Sequence, residues 1–322
     1  MLKIKDLEFE NGLALAPMAG FSDRAMRVVC HELGAEYSVT EMVSAKAVVY
    51  KDKKTHLLSR IMADEGPVGL QIFGSEPSVM AEAAGVLANG EEGCVPPVMI
   101  DVNMGCPVPK IFSNGEGSAL MKNPSLIHDI VRSVKSAISI PLGVKLRLGV
   151  DRAHINVTEC ALAAESAGAD LITVHGRTRV EMYMGEADYS EIAKVKCALH
   201  IPLIANGDVT DFESFLRIKR ETGADGVMIG RGAVGNPFLF YEIKERLSGG
   251  EYTEPSIDMR RDIALRQLSL AIEEKGEEIA VREARKQIAQ YFKAFRGSAA
   301  LRAEINRAST LREVEAAIRS LG

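Results

Sequence analysis

The stretch Asp101-Val102-Asn103-Met104-Gly105-Cys106-Pro107 presents a thiol in a setting that packing does not explain. It follows the apolar run 96–100, so a buried-strand pattern ends here in a polar turn. Asn103 and Gly105 contribute almost nothing to a core, and Gly105 and Pro107 confine the backbone on either side of Cys106. A thiol projecting from a strand end can serve as an acid, a nucleophile or a metal ligand. The other cysteines, Cys30, Cys94, Cys160 and Cys197, form no Cys-x-x-Cys pair and no zinc spacing with it, so no metal site is expected. The odd total argues against a disulfide framework. Cys30 and Cys160 fall within helical patterns and read as inert buried thiols.

Other chemistry-bearing residues also sit where apolar runs stop: Pro17-Met18-Ala19, Gln71, Lys145 and Arg147, His175 and Arg177, Asn206-Gly207-Asp208, and Gly230-Arg231. Gln71 alone reads as a residue satisfying a loop backbone, and His175 alone as a hydrogen-bonded core residue. Lys145 is different: it interrupts an apolar strand, where an ammonium is costly without an acceptor or anionic partner. The glycines and arginine at 206–208 and 230–232 suit a phosphate held by backbone amides. A phosphate there with a lysine across the mouth fits a mononucleotide cofactor, FMN best, with Lys145 by the N1/O2 edge of the reduced flavin. A phosphorylated substrate without flavin is the alternative, but such sites need an acid/base pair or a Schiff-base lysine, and Cys106 fits neither role easily.

The elements that must position these residues alternate. Strand-like segments at 12–18, 37–39, 68–73, 98–102, 142–146, 171–175, 203–205 and 226–229 are separated by helix-like segments at 22–33, 76–87, 124–138, 155–167, 189–199 and 211–222, with loop and helix mixed at 41–60. Ser22 is the expected cap of the first helix. Eight nearly continuous apolar strands alternating with helices predict a closed (β/α)8 TIM barrel. An open doubly wound sheet would need a Gly-x-Gly-x-x-Gly fingerprint after the first strand, which is absent. Ala167-Gly168-Ala169-Asp170 and Thr222-Gly223-Ala224-Asp225 read as one recurring helix-to-strand turn. The expected organisation is a catalytic barrel over 1–247, a linker over 248–255 and an all-α domain over 256–322, broken near Gly276 and Gly297.

The chain is 322 residues long with a net charge of −5, which gives no direct sign of a nucleic-acid partner. The charge is uneven, however. From Val281 onward, nine lysines and arginines face four glutamates. A second basic group comprises Lys46, Lys51, Lys53, Lys54 and Arg60. Either alone is an ordinary solvated face; together they suit a polyanion. No leader pattern opens the chain and no run approaches the roughly 18 apolar residues of a membrane span, so a cytoplasmic protein, monomeric and without membrane attachment, is expected.

Ala16-Pro17-Met18-Ala19-Gly20, Gln71-Ile72-Phe73-Gly74, Asn103-Met104-Gly105-Cys106-Pro107, Lys145-Leu146-Arg147, Val174-His175-Gly176-Arg177-Thr178, Ala205-Asn206-Gly207-Asp208 and Met228-Ile229-Gly230-Arg231-Gly232, in this order, closely resemble the tRNA-dihydrouridine synthase family, most of all its bacterial B-type branch. The resemblance runs from residue 13 to about residue 300. It implies an FMN enzyme that reduces the C5–C6 bond of uridine in tRNA with NADPH or NADH as electron source. Pro17, Met18, Ala19, Gln71, Lys145, His175, Asn206, Gly207, Asp208, Gly230 and Arg231 would hold FMN, and Cys106 would donate the proton. Asn103, Arg147 and His175 would line the uracil. Arg177 and Lys110 would meet the RNA backbone, and Arg285 and Lys286 in the basic helical domain would grip phosphates. Competing readings are an FMN oxidoreductase of a free pyrimidine and a non-catalytic RNA-binding barrel.

Overall fold

The computed structural model describes residues 1–52, 55–90 and 92–320, so Lys53, Lys54 and the last two positions of the expected helical domain lie outside the described residues. The chain opens with an antiparallel hairpin of β1 (Leu2–Ile4) and β2 (Leu7–Phe9) that periodicity did not disclose. The barrel strands follow: β3 (Leu13–Leu15), β4 (Tyr37–Val39), β6 (Val68–Phe73), β7 (Met99–Asn103), β8 (Leu142–Arg147), β9 (Leu171–His175), β10 (Leu203–Asn206) and β11 (Gly226–Ile229). All neighbours pair in parallel, and β11–β3 and β4–β6 pairings close the ring. A two-residue strand, β5 (Val43–Ser44), extends β6 at its carboxyl end. The eight-stranded barrel expected from the alternation is therefore present.

The hairpin plugs the amino-terminal end of the barrel. Leu2, Ile4 and Phe9 pack with Tyr37, Met99, Leu171, Ile204 and Met228, which leaves the opposite end free for chemistry. Around the barrel lie α1 (Arg24–Glu32), α2 (Ala45–Val49), α3 (Thr55–Ser59), α4 (Pro77–Leu87), α5 (Pro109–Ser113), α6 (Pro124–Ala137), α7 (Val157–Ser166), α8 (Tyr189–Ala198), α9 (Phe212–Thr222) and α10 (Phe238–Leu247). The 41–60 segment resolves into β5, α2 and α3, and α5 is an extra turn of helix just past Cys106.

The recurring helix-to-strand turn has a physical role. Asp170 Oδ2, just before β9, accepts from the Leu142 amide that starts β8 (2.8 Å) and from Lys135 Nζ (2.5 Å) on α6. Asp225 Oδ2, just before β11, does the same for the Leu203 amide of β10 (2.7 Å) with Lys196 of α8 (2.6 Å). Each aspartate thus satisfies the first orphan donor of the preceding strand and ties a helix to the sheet.

The expected Ser22 cap is corrected. Asp23 caps α1, accepting from the Met26 amide at 3.1 Å. Ser22 Oγ instead accepts from the Met18 amide at 2.7 Å and pins the loop after β3. That loop is anchored from below by a buried ion pair: Arg27 Nε donates to Glu65 Oε2 at 2.6 Å and Arg27 Nη1 to Ser22 O at 2.7 Å. Both side chains are almost fully enclosed.

Beyond the barrel, α11 (Ile257–Lys275), α12 (Glu277–Ile288), α13 (Ser298–Arg307) and α14 (Leu311–Ser320) share a second core of Leu268, Ile288, Tyr291, Phe292, Ile305 and Ile318, to which Phe238 of α10 contributes. Lys275 Nζ bonds Asp23 Oδ2 at 2.7 Å and Arg266 bonds Glu32 at 2.9 Å, so α11 rests on α1. No helix among the described residues is long and apolar enough to cross a membrane.

Glu65→Ala would strand a buried guanidinium and is expected to cost about 3–5 kcal/mol in urea unfolding, while Arg27→Met/Glu65→Leu recovers most of that loss. A loss under about 1 kcal/mol in the single variant would show that the pair does not anchor the loop.

Candidate active site

Parallel register places the polar strand ends at one level. Asn103 lies beside Lys145, Arg147 beside His175, and His175 beside Asn206. They face a cleft of about 770 Å³ at the carboxyl ends of the strands. Pro17, Met18, Ala19, Gln71, Asn103, Cys106, Lys145, Arg147, His175, Asn206, Gly207, Asp208, Gly230 and Arg231 all line it.

The cysteine turn is set by a relay of amides. Asn103 Oδ1 accepts from the Gly105 amide (3.2 Å) and the Cys106 amide (2.9 Å), and Asn103 Nδ2 donates to Gln71 Oε1 at 2.8 Å. Gln71 Nε2 in turn donates to Asp101 Oδ2 at 2.6 Å. From the other side, Ser118 Oγ donates to Cys106 O at 2.8 Å. Gly117 is required there (φ +58°), because a Cβ would lie 2.9 Å from Cys106 Cβ. Burial raises the Cys106 thiol above its ordinary range, and the opposing pull of Arg147 and Lys145 is too weak to reverse it. The sulfur therefore carries its proton at neutral pH.

Lys145 is buried and donates to Asn206 Oδ1 at 3.2 Å, while Asn206 Nδ2 donates to Met228 O at 2.8 Å. Burial, aided by Arg147, pushes its ammonium down to about 8, against the pull of Asp101. His175 lies well below its usual range, first through burial and then through Arg147 and Lys145. It is neutral at physiological pH.

Arg147 lines the cleft but spends two nitrogens on the protein: Nε on Gly105 O (2.8 Å) and Nη1 on Thr178 O (2.9 Å) and Met182 O (2.8 Å). It therefore positions the cysteine turn as well as facing the cavity. Arg177 must be reassigned. It is 1% exposed, and its guanidinium donates to Met184 O (2.9 Å), Gly185 O (2.5 Å) and Asp208 Oδ2 (2.7 Å). With those donors engaged inside the fold, it holds Asp208 rather than meeting an RNA backbone. Asp208 is buried enough to resist ionisation, yet Arg177 and the Ala187 amide hold its carboxyl below the usual range.

The backbone amides of Gly230, Arg231 and Gly232 have no acceptor among the described residues. They border the cleft beside Gly207, and Arg231 reaches toward Asp208 Oδ1 at 3.3 Å. Unpaired amides beside an arginine at strand ends fit a phosphate, and the buried cation Lys145 fits the electron-rich edge of a flavin. The donor set thus suits a flavin mononucleotide.

Lys110, Arg285 and Lys286 lie outside the cleft. Lys110 is exposed on α5. Arg285 is half-buried and donates through Nε (3.1 Å) and Nη2 (2.7 Å) to Ala308 O, closing the end of α13. Lys286 is exposed and stands 4.4 Å over the Phe21 ring at the loop after β3. Arg282, Lys293, Arg296, Arg302 and Arg307 are also exposed, and no carboxylate among the described residues lies within ion-pair distance of them. Lys46 of the early basic group pairs with Glu76 at 2.6 Å.

Sequence reading missed three contributors. Tyr183 lies between Arg147 and Arg231, its ring 5.6 and 5.2 Å from their guanidinium carbons. Tyr252 of the 248–255 segment and Phe295 extend the cleft wall toward the helical layer. None of these carries a periodic or motif signal. Asp101 did carry one, since a carboxylate inside a buried strand is as costly as Lys145.

Chemistry in a parallel barrel collects at this face, and a protonated thiol opposite an anion cradle makes this chain a barrel enzyme. The dihydrouridine synthase (Dus) family model matches residues 14–321. Among curated proteins, tRNA-dihydrouridine synthase B of Pseudomonas putida is 39% identical over 306 residues, covering 95% of this chain and 89% of that protein. The Vibrio cholerae protein of the same name is 38% identical, covering 96% and 95%. The chain belongs to the dihydrouridine synthase family. Solved structures of histamine dehydrogenase from Rhizobium sp. 4-9 (TM-score 0.56, 13% identity, 89% of this chain and 50% of that one) and of 6-hydroxypseudooxynicotine amine oxidase from Pseudomonas geniculata N1 (TM-score 0.59, 14% identity, 77% and 49%) share the fold.

Peptide-resolved iodoacetamide labelling should show Cys106 reacting slowly at neutral pH and gaining reactivity only above the ordinary thiol range near 8.5. Half-maximal labelling below pH 8 would contradict a protonated thiol.

Proposed function

We propose that this chain acts as a tRNA-dihydrouridine synthase, reducing the C5–C6 bond of uridine in tRNA. The observation that carries the reading is the Cys106 thiol, kept protonated by burial at the rim of a cleft whose far wall suits a flavin phosphate. It is a flavin-dependent enzyme, with FMN as the specific cofactor, NADPH or NADH as reductant, and the cytoplasm as its place of work as a monomer.

Gly230, Arg231 and Gly232 would hold the phosphate, with Gly207 and Asp208 beside it. Pro17, Met18, Ala19 and Gln71 would border the ring system, and Lys145 would face its electron-rich edge. When bound and reduced, the flavin supplies the hydride that adds to C6 of the base. Cys106 holds the matching proton at Sγ and delivers it to C5, then regains a proton from water. Asn103, through its side-chain contacts, fixes the distance at which that proton is offered. Neutral His175 and the Nη2 of Arg147, which has no partner among the described residues, can bond the uracil carbonyls. A polymer-borne base must leave its stack to enter such a cleft, which is cheapest in a loop.

The exposed basic residues of α12 and the segment after it support an RNA partner over a free pyrimidine. Lys286 stands at the edge of the mouth, with its Nζ 2.9 Å from where a Cβ on Gly20 would be. The exposed Lys293 lines the cleft itself and the exposed Arg296 follows three residues on, and the 256–320 helices are the tRNA-binding layer in this reading. Arg285 serves their packing instead.

Cys106→Ala should retain bound flavin while dihydrouridine formation in transcribed tRNA falls 10²–10⁴-fold, the usual range for losing a positioned acid; unchanged product would remove Cys106 from the reaction. Lys286→Glu should weaken tRNA binding and flatten the salt dependence of log K by about one unit of slope. Turnover of free uracil matching that of tRNA would favour the free-pyrimidine reading.

A further inference from the structure

Asp101 is a buried carboxylate that the mechanism above leaves without a role. It sits on β7 two residues before Asn103, so both side chains point to the same face of the strand. It is 3% exposed. Room for it is made by its neighbour: Asp101 is in register with Gly143 on β8, where a Cβ would fall 2.6 Å from Asp101 Oδ1. Two residues further along β8 stands Lys145. On β4, the buried Tyr37 hydroxyl has no hydrogen-bond partner among the described residues and feels the charge of Asp101. The ionisable groups facing Asp101 and Lys145 are thus Tyr37 from β4, Arg147 from β8, His175 from β9 and Cys106 beyond the turn.

An ionised carboxylate only accepts hydrogen bonds. Taking Gln71 Nε2 therefore forces Gln71 Oε1 toward Asn103, so Asn103 must present Nδ2 to Gln71 and Oδ1 to the amides of Gly105 and Cys106. Every link is short: 2.6 Å, 2.8 Å and 2.9 Å. The orientation of the cysteine turn is thereby referred to one fixed charge inside the barrel. The same charge favours the ammonium of Lys145, opposing its desolvation.

We propose that Asp101 is a positioning residue with two outputs: through Gln71 and Asn103 it orients the turn that presents Cys106, and as the buried counter-charge of Lys145 it keeps that lysine cationic. The second output rests on the function proposed above; the first does not. Burial raises the Asp101 carboxyl to about 6, partly offset by Gln71 and Lys145. Protonation below that pH turns an acceptor into a donor and removes the fixed polarity of the relay.

The test compares wild type with Asp101→Asn, Asp101→Ala and Gly143→Ala. Asparagine keeps an acceptor for Gln71 but no charge. Alanine at 101 removes both. Alanine at 143 displaces the carboxylate and leaves the charge. Uridine reduction by pre-reduced enzyme is followed in single turnover across pH, and iodoacetamide labelling of the Cys106 peptide is followed on the purified protein without RNA.

Wild type should lose rate below about pH 6. Asp101→Asn should lose that acid limb, and its alkaline limb should move to lower pH by on the order of one unit, because Lys145 gives up its proton sooner. Asp101→Ala and Gly143→Ala should label Cys106 several-fold faster than wild type, with proton transfer slowed roughly 100-fold; Asp101→Asn, which like the protonated acid can donate as well as accept, should fall between them and wild type. Wild-type labelling in both alanine variants overturns the orienting role. An unmoved pH profile in Asp101→Asn overturns the counter-charge role. Should wild type itself make no dihydrouridine, the functional reading fails, and the labelling comparison still decides whether Asp101 orients the turn.

Discussion

Positive charge held inside a low-dielectric barrel mouth is the constraint on which the rest of this structure depends. Lys145, Arg147 and Arg177 project from the ends of β8 and β9 and are nearly or fully buried. Cations so placed must find acceptors or lose their protons. Arg147 and Arg177 answer with backbone carbonyls of the 176–185 loop, and Arg177 with Asp208 besides. Lys145 is less well served and sits closest to deprotonation. His175, buried and then surrounded by these cations, is held well below its usual range. The result is a cavity with a standing affinity for anions and a neutral imidazole.

The same arrangement keeps the thiol from becoming a nucleophile. Cations near a cysteine lower its pKa, yet here burial outweighs them and the proton stays on sulfur. The two demands, electropositive for a cofactor and non-ionising for an acid, are reconciled by direction. Arg147 turns its Nε to Gly105 O and its Nη1 to the loop, so those donors are engaged by backbone carbonyls.

The helical layer is coupled to this mouth through the loop after β3. Tyr291 Oη donates to Gln267 Oε1 at 2.6 Å, Gln267 Nε2 donates to Gln287 Oε1 at 2.8 Å, and Gln287 Nε2 reaches Gly20 O at 3.5 Å. Ser22 and the Arg27–Glu65 pair hold the loop from the barrel side. A buried polar network of this kind has little tolerance for misplacement, so it ties the outer helices to the loop after β3 that borders the cleft.

Local chain chemistry is enough to read the barrel, because a strand buried on both faces must be apolar throughout and each such run is followed by a helix with its own stop signals. It is also enough to find most of the site, since a lysine, a histidine or a polar glycine turn at the end of an apolar run has no packing reason to be there. The hairpin of β1 and β2 escaped because three-residue strands carry no measurable period. Ser22 and Asp23 are equally good caps by type, and the Met18 amide decided between them. Arg177 and Arg285 look like RNA contacts by charge alone. Whether a guanidinium faces solvent or a carbonyl a few ångströms away depends on which loops fold back over it, and residues distant in sequence set that: Asp208 for the one, Ala308 for the other.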